Sequence, residues 1–328
     1  MAKVIAVVSQ KGGVGKTTTA ANLAAALVRE GKRVLLLEVD PQGSLLPSLG
    51  VDPDDVLLGL LDLMRGDAPP AKAAIETSLP GLDLIAGLGF ERDELELERL
   101  AGTHPLLLRD TVRRLAPLYD AILLDSPPTL GALTRATLMA ADCYLIPVQA
   151  EELSYRTLKR MLALCDEVQQ QHNPGLSCAG LLITMVDLRT RMSVRVVNQL
   201  HENYGDRVLM SMVPRTVALQ EMPLRGQPAV LYAPKSRGAQ AYQEVAAELL
   251  AEIDQDAVRE LVEAEMQEGS SFGDDLLSDV DGGLASFEVD RSERSGHGHE
   301  LDALNPSLLL TALSPEFSGD RRRRSDPH

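Results

Sequence analysis

The chain has no tryptophan, and aromatic residues make up only 3% of it. Its core must therefore be built from Leu, Val, Ile and Ala. It has no apolar run of the roughly 18 residues that a membrane-spanning helix needs, so nothing in it is expected to cross a membrane. It has only three cysteines, Cys143, Cys165 and Cys178, and no C-x-x-C pair. That usage suits a reducing cytoplasm and argues against a metal cluster. Positive charge is also short: 32 Lys and Arg against 48 Asp and Glu leave a net charge of −16. A generally basic nucleic-acid binder is excluded, and any contact with DNA has to come from a local patch.

What is present is an alternation. At 328 residues and 45% hydrophobic content the chain can bury a sizeable core. Short apolar runs predict strands at 3–9, 33–39, 82–87, 119–125, 143–148, 179–186 and 207–213. Most are continuous rather than alternating, as strands covered on both faces should be. Helical stretches such as 17–31 and 153–170 lie between them, which predicts an α/β fold with a doubly wound, mostly parallel sheet. The apolar start at residues 3–9 runs directly into a glycine loop and reads as a buried first strand rather than a secretion signal. A last long helix is expected over 237–268. Beyond it, residues 269–328 hold 17 Gly or Ser in 60, with 12 acidic and 6 basic residues, four of them the run Arg321–Arg324. This composition predicts two parts, a folded domain over 1–268 and a disordered tail over 269–328.

Between the first strand and the first helix stands 9-SQKGGVGKTTTAAN-22. A glycine loop at a helix start is a phosphate cradle: backbone N–H groups point inward and the helix end favours negative charge. Residues Lys11, Gly12, Gly13, Val14, Gly15, Lys16, Thr17 and Thr18 would form it. Lys16 would reach the β- and γ-phosphates, and Thr17 would ligate Mg²⁺. The ordinary pattern G-x-x-x-x-G-K-[ST] fails at its first glycine, which is Gln10 here, and a second lysine, Lys11, appears at the loop mouth. From that position Lys11 is poorly placed to serve its own phosphates. It could reach across a face-to-face dimer to a partner's nucleotide, as an arginine finger does. Asp125 ends a buried apolar strand, where a carboxylate can hold Mg²⁺ through water.

The motif KGGVGKTT resembles the deviant Walker A loop of the ParA/Soj and MinD family of partitioning and positioning ATPases. The resemblance continues through 40-DPQGS-44, 119-YDAILLDSPP-128, 147-PVQAE-151, 184-TMVDLRT-190, 213-VPRTVALQEMP-223 and 234-PKSRGAQAY-242. It is most similar to the short Soj-type ParA proteins. The resemblance implies a P-loop ATPase that binds ATP and Mg²⁺ and dimerises on ATP. It implies slow hydrolysis and the positioning of DNA or another large cargo on the nucleoid. Asp40 would orient the attacking water and help hold the metal, Asp125 would be the Walker B aspartate, and 126–128 would begin the second switch. The base would lie near Met185, Asp187, Pro214 and Arg215. Departures occur at Glu38 and Ser44, where the family has Asp and Asn.

Soj-type dimers bind DNA without sequence preference through surface basic residues, and Arg189 matches one of them; Arg191 and Arg195 stand near it. A second family arginine is Ala218 here. A ParB-like or other cargo adaptor is the implied activator. A MinD-like, membrane-cycling ATPase is the alternative, but it needs a basic amphipathic C-terminal helix, and 248-ELLAEIDQDAVRELVEAEMQEG-269 is acidic. A weakly hydrolysing, ATP-dependent scaffold that recruits partners through the tail is a further reading.

Overall fold

The computed structural model of the chain describes residues 2–87, 91–151 and 154–251. Among them seven strands form one sheet: β1 (Lys3–Val7), β2 (Val34–Glu38), β3 (Ile75–Glu76), β4 (Leu82–Ile85), β5 (Ala121–Asp125), β6 (Cys143–Gln149) and β7 (Ser177–Thr184). Their order is β3-β4-β2-β5-β1-β6-β7, and every pair is parallel except β3 with β4. The first helices are α1 (Lys16–Arg29), α2 (Leu45–Leu49), α3 (Leu60–Arg65), α4 (Pro70–Ala73), α5 (Glu91–Thr103) and α6 (Leu107–Leu115). They are followed by α7 (Ala132–Ala140), α8 (Ser154–Gln171), α9 (Arg191–Tyr204), α10 (Val217–Gln220), α11 (Met222–Arg225) and α12 (Ala229–Tyr232). Residues 237–251 are helical as well.

The two faces of the sheet carry separate cores, as continuous apolar strands require. Val4, Ala6 and Val8 face one core with Leu63 of α3, Leu97 of α5, Leu108 of α6 and Met161 of α8. Ile5 and Val7 face the other, against Leu23 and Leu27 of α1, Leu45 of α2 and Val245. The aromatic shortage shows in the packing. Most of the large, fully buried side chains are Leu or Ile, and Tyr242 is the one ring among them.

Six of the seven expected strands form, whereas 207–213 does not. It touches β7 through an isolated bridge, Leu181 to Val208, with Val213 N–H donating to Ile183 at 2.9 Å. Between those points the backbone N–H groups of Met210 and Ser211 donate to the Glu248 carboxylate at 2.8 and 3.2 Å. The chain is thereby drawn off the edge of the sheet. Conversely, the two-residue β3 gave no apolar run to read. The helix expected over 237–268 is seen to 251; its remainder and the tail expected over 269–328 lie outside the described residues.

Strand β7 meets β6 with a register shift opposite Tyr144 and Leu145, and Gly180 sits at that shift with φ +145°. A Cβ there would lie 2.5 Å from Leu209 Cδ2. Gly180→Ala is expected to cost about 2–4 kcal/mol, since backbone strain and overpacking add at one position. A urea unfolding midpoint checks this, and an unchanged midpoint would contradict it.

Candidate nucleotide site

β1 lies centrally, between β5 and β6, so the carboxyl ends of β1, β2 and β5 converge where parallel sheets of this kind place ligands. The loop leaving β1 turns through Gly13 at φ +75° and Gly15 at φ +94°, left-handed values that favour glycine. Gly15 is the residue before α1. No side chain caps that helix end and no acidic residue occupies its first turn. Its first N–H groups and its dipole are thus left for a ligand. Val14 anchors the loop from beneath: it is buried, and its carbonyl accepts the Thr184 hydroxyl at 2.9 Å.

Three carboxylates and one ammonium meet at the floor. The Asp125 carbonyl accepts the N–H groups of Val39 and Asp40 at 2.8 and 3.1 Å, which locks the ends of β2 and β5 together. The Asp125 side chain is fully buried, and no hydrogen bond of ordinary geometry reaches either of its oxygens. Burial pushes it up to about 7, opposed by the nearby Thr17 hydroxyl and Lys16 ammonium. Lys16 is itself buried and held below the usual lysine range by desolvation, while Asp125 and then Asp40 pull it back up. Burial also raises Asp40, whose Oδ1 accepts the Gln42 N–H at 3.1 Å.

A fully buried carboxylate with two orphaned oxygens beside a hydroxyl is costly unless a cation completes it. Thr17 and Asp125 supply the hard oxygen donors that Mg²⁺ prefers, so the residues present fit that ion.

Glu38 is the departure whose placement explains it. The longer side chain is fully buried, accepts the Leu45 N–H at 2.7 Å and the Gly87 N–H at 3.2 Å, and is pushed up to about 7 by burial. It thus braces the start of α2 against the end of β4. Ser44 precedes α2 without capping it by a side-chain hydrogen bond.

A cavity of about 450 Å³ opens above the loop, lined by residues 13–18 together with Met185, Pro214 and Arg215. Three of the four residues expected near the base are therefore brought to the loop. Asp187 is not among the lining residues: its two carboxylate oxygens accept from Nε and Nη2 of Arg189, each at 2.8 Å. Residues that sequence reasoning missed complete the wall, among them Thr216, Leu219, Pro223 and Tyr242. Tyr242 is buried with its hydroxyl 3.0 Å from that of Thr19 on α1. Its motif, 234-PKSRGAQAY-242, pointed to this region without saying which side chain turned inward.

Lys11 does not line this cavity. Its ammonium donates to Gln149 Oε1 at the end of β6 and pairs with Glu151 Oε2 just beyond it, each at 2.9 Å and both in its own chain. The motif 147-PVQAE-151 supplied both partners, but only the fold shows that they meet Lys11.

A family model described as an AAA domain matches residues 2–178. The chain is 38% identical over 252 residues to the sporulation initiation inhibitor protein Soj of Bacillus subtilis, covering 76% of this chain and 99% of that protein. The chain belongs to the ParA/Soj family. It is also 40% identical over 254 residues to the chromosome-partitioning ATPase Soj of Thermus thermophilus, covering 76% of this chain and 96% of that one. Among solved structures, one titled cobyrinic acid a,c-diamide synthase from Mycobacterium smegmatis, with bound ATP analog and magnesium, is 36% identical with a TM-score of 0.66. That match covers 76% of this chain and 95% of that one. The ParA/Soj chain described here is thus a P-loop NTPase with a mostly parallel sheet, as its sequence predicts.

Proposed function

We propose that this ParA/Soj protein is a Mg²⁺-dependent ATPase that dimerises on ATP, is reset by slow hydrolysis, and positions chromosomal or plasmid DNA on the nucleoid in the cytoplasm. The observation that carries the reading is the buried, unpartnered Asp125 carboxylate beside Lys16 and Thr17 at the foot of an uncapped helix. The partitioning role is supported by the similarity to Soj proteins. The Soj match over 252 residues supports a folded ATPase unit over 1–268, with 269–328 appended to it. No helix of the described residues is long and apolar enough to cross a membrane.

In this reading Thr17 and, through water, Asp125 would hold Mg²⁺ beside Asp40, and the bound ion would supply neutralisation of phosphate charge. The N–H groups of Gly13 to Thr18 and the Lys16 ammonium hold those phosphates in place. Phosphoryl transfer asks little covalent chemistry of a protein, so orientation and charge neutralisation carry most of the rate. Asp40 orients the attacking water. Lys11 crosses to the partner's nucleotide in the dimer, after leaving Gln149 and Glu151. The Lys11–Glu151 pair is partly exposed, so breaking it costs only about 0–1 kcal/mol. Phosphate release in Mg²⁺, abolished by a chelator, tests the ATPase. A protein that binds ATP yet releases no phosphate, even with DNA and its adaptor present, would sink this part of the reading.

DNA contact is assigned to Arg189, Arg191 and Arg195. All three are exposed and line one shallow groove of about 590 Å³ with α9. Arg189 is held by Asp187, but at 89% side-chain exposure that pair is weak enough for a phosphate to displace. The ATP-bound dimer is expected to retain duplex DNA of any sequence at low salt, whereas the ADP form should not. Each phosphate neutralised adds roughly 0.9 to the slope of log affinity on log salt, so doubling the contacts steepens it. Arg189→Glu should weaken binding to all sequences alike and leave turnover without DNA unchanged. A gel-shift series in salt reads both, and binding independent of ATP or of Arg189 would remove this surface.

A further inference from the structure

Helix α5 is tied to both segments that follow the site's two strands, and neither tie is needed to build the sheet. On one side Glu98 reaches α7, the helix entered directly from the 126–131 loop after Asp125. Its Oε1 accepts the Ala132 N–H at 2.7 Å and its Oε2 the Leu133 N–H at 3.2 Å. These are the first N–H groups of α7, which the residue directly before the helix leaves uncapped: it is Gly131, with no side chain to offer. That glycine is set by closeness rather than by conformation. Its φ of −74° suits any residue, but a Cβ would lie 2.4 Å from Glu98 Oε1. Four residues earlier on α5, Glu94 accepts from the Gln42 side chain at 3.4 Å, two positions after Asp40. Between them Glu96 binds Arg99 of α5 and Arg65 at the end of α3.

We propose that Glu98 is a positioning residue for the ATPase site: by capping α7 from a different helix it makes α5 a clasp that holds the 126–131 loop, and with it the Asp125 end of β5, in register with the Gln42 segment beside Asp40. The two segments must act on the same phosphate, yet they leave different strands. A carboxylate from a third element that caps one and a neighbouring carboxylate that contacts the other couples their movement. The inference rests on the proposed nucleotide site.

The test separates a clasp from a mere helix cap. Glu98→Ala is compared with Glu98→Ala/Gly131→Ser. In the double variant the glutamate no longer blocks a Cβ at 131. Thr129 Oγ1 lies 3.3 Å from that Cβ and gives by a few tenths of an ångström, and the serine caps α7 from the residue directly before the helix. Wild type, both variants and Glu98→Gln are measured for ATP affinity, phosphate release, melting temperature and amide exchange over 126–135 with and without Mg²⁺ and ATP. The expected result is that Glu98→Ala keeps ATP affinity within about threefold and loses about tenfold in turnover. It should also lose the ATP-induced exchange protection of 126–135. The double variant should recover most of the melting temperature but neither turnover nor protection. Recovery of all three would reduce Glu98 to a cap, and unchanged turnover and protection in Glu98→Ala would likewise overturn the proposal. Should Glu98→Ala fail to fold, Glu98→Gln decides. It keeps the shape and one acceptor, so turnover at least threefold down at unaltered affinity supports the clasp, and wild-type turnover refutes it. A wild type that binds ATP without hydrolysing it would fail the ATPase reading alone; the exchange protection then still decides the clasp.

Discussion

Lys16→Ala is expected to remove ATP binding, whereas Lys11→Ala should keep ATP and lose the dimer. Lys16 is the buried cation of the site, set where its charge balances Asp125 and Asp40 before any phosphate arrives. Truncating one partner of a buried charge pair costs about 2–5 kcal/mol, roughly 30-fold to several thousand-fold in affinity. The loss is compounded because the two carboxylates then face the phosphates without an intervening cation. Lys11 sits outside this arrangement, bound to Gln149 and Glu151. Its removal should change nucleotide affinity by no more than about threefold, since it leaves every cradle N–H in place. Size-exclusion chromatography with a slowly hydrolysed ATP analogue, alongside calorimetric titration of ATP, reads both. A Lys11→Ala protein that still dimerises would refute the cross-subunit role, and a Lys16→Ala protein with near wild-type affinity would refute the cradle.

Asp40→Ala is expected to trap an ATP-bound dimer. The aspartate is buried, raised above the usual carboxylate range by that burial, and oriented by the Gln42 N–H. Its removal spares Lys16, Thr17, Asp125 and the loop, so ATP affinity should stay within about threefold. Turnover should fall on the order of 100-fold, the range lost when a group that orients or deprotonates a nucleophile is deleted. Single-turnover phosphate release combined with the chromatographic dimer measures the two effects together. Equal losses in affinity and turnover would show that Asp40 serves the ground state instead.

Motif chemistry made the nucleotide loop legible in advance. Glycines flanked by a buried strand and a helix admit few conformations, so Gly13, Gly15, Lys16 and Thr17 could be placed by spacing alone. The strands were legible for a similar reason: a run such as 121-AILLD-125 has no polar face to give to solvent, and a covered sheet is what remains. Segment 207–213 looked the same by composition and yet is not a strand. Its pairing was decided by a carboxylate 38 residues away in sequence, Glu248, which no local pattern contains.

The sequence by itself therefore determined the α/β class, the glycine loop between the first strand and the first helix, and the family to which the chain belongs. Each depends on residue type within a short window, where sterics and hydrogen-bonding capacity act locally. The tertiary structure alone decided that Lys11 lies on Glu151, that Asp187 turns to Arg189 rather than to the cavity, and that Glu98 caps a helix 34 residues further on. Charged side chains have many sterically equivalent partners, and which one each takes is set by where the sheet brings distant backbone together. That arrangement results from burying two aliphatic cores at once, and no single stretch of the chain contains it.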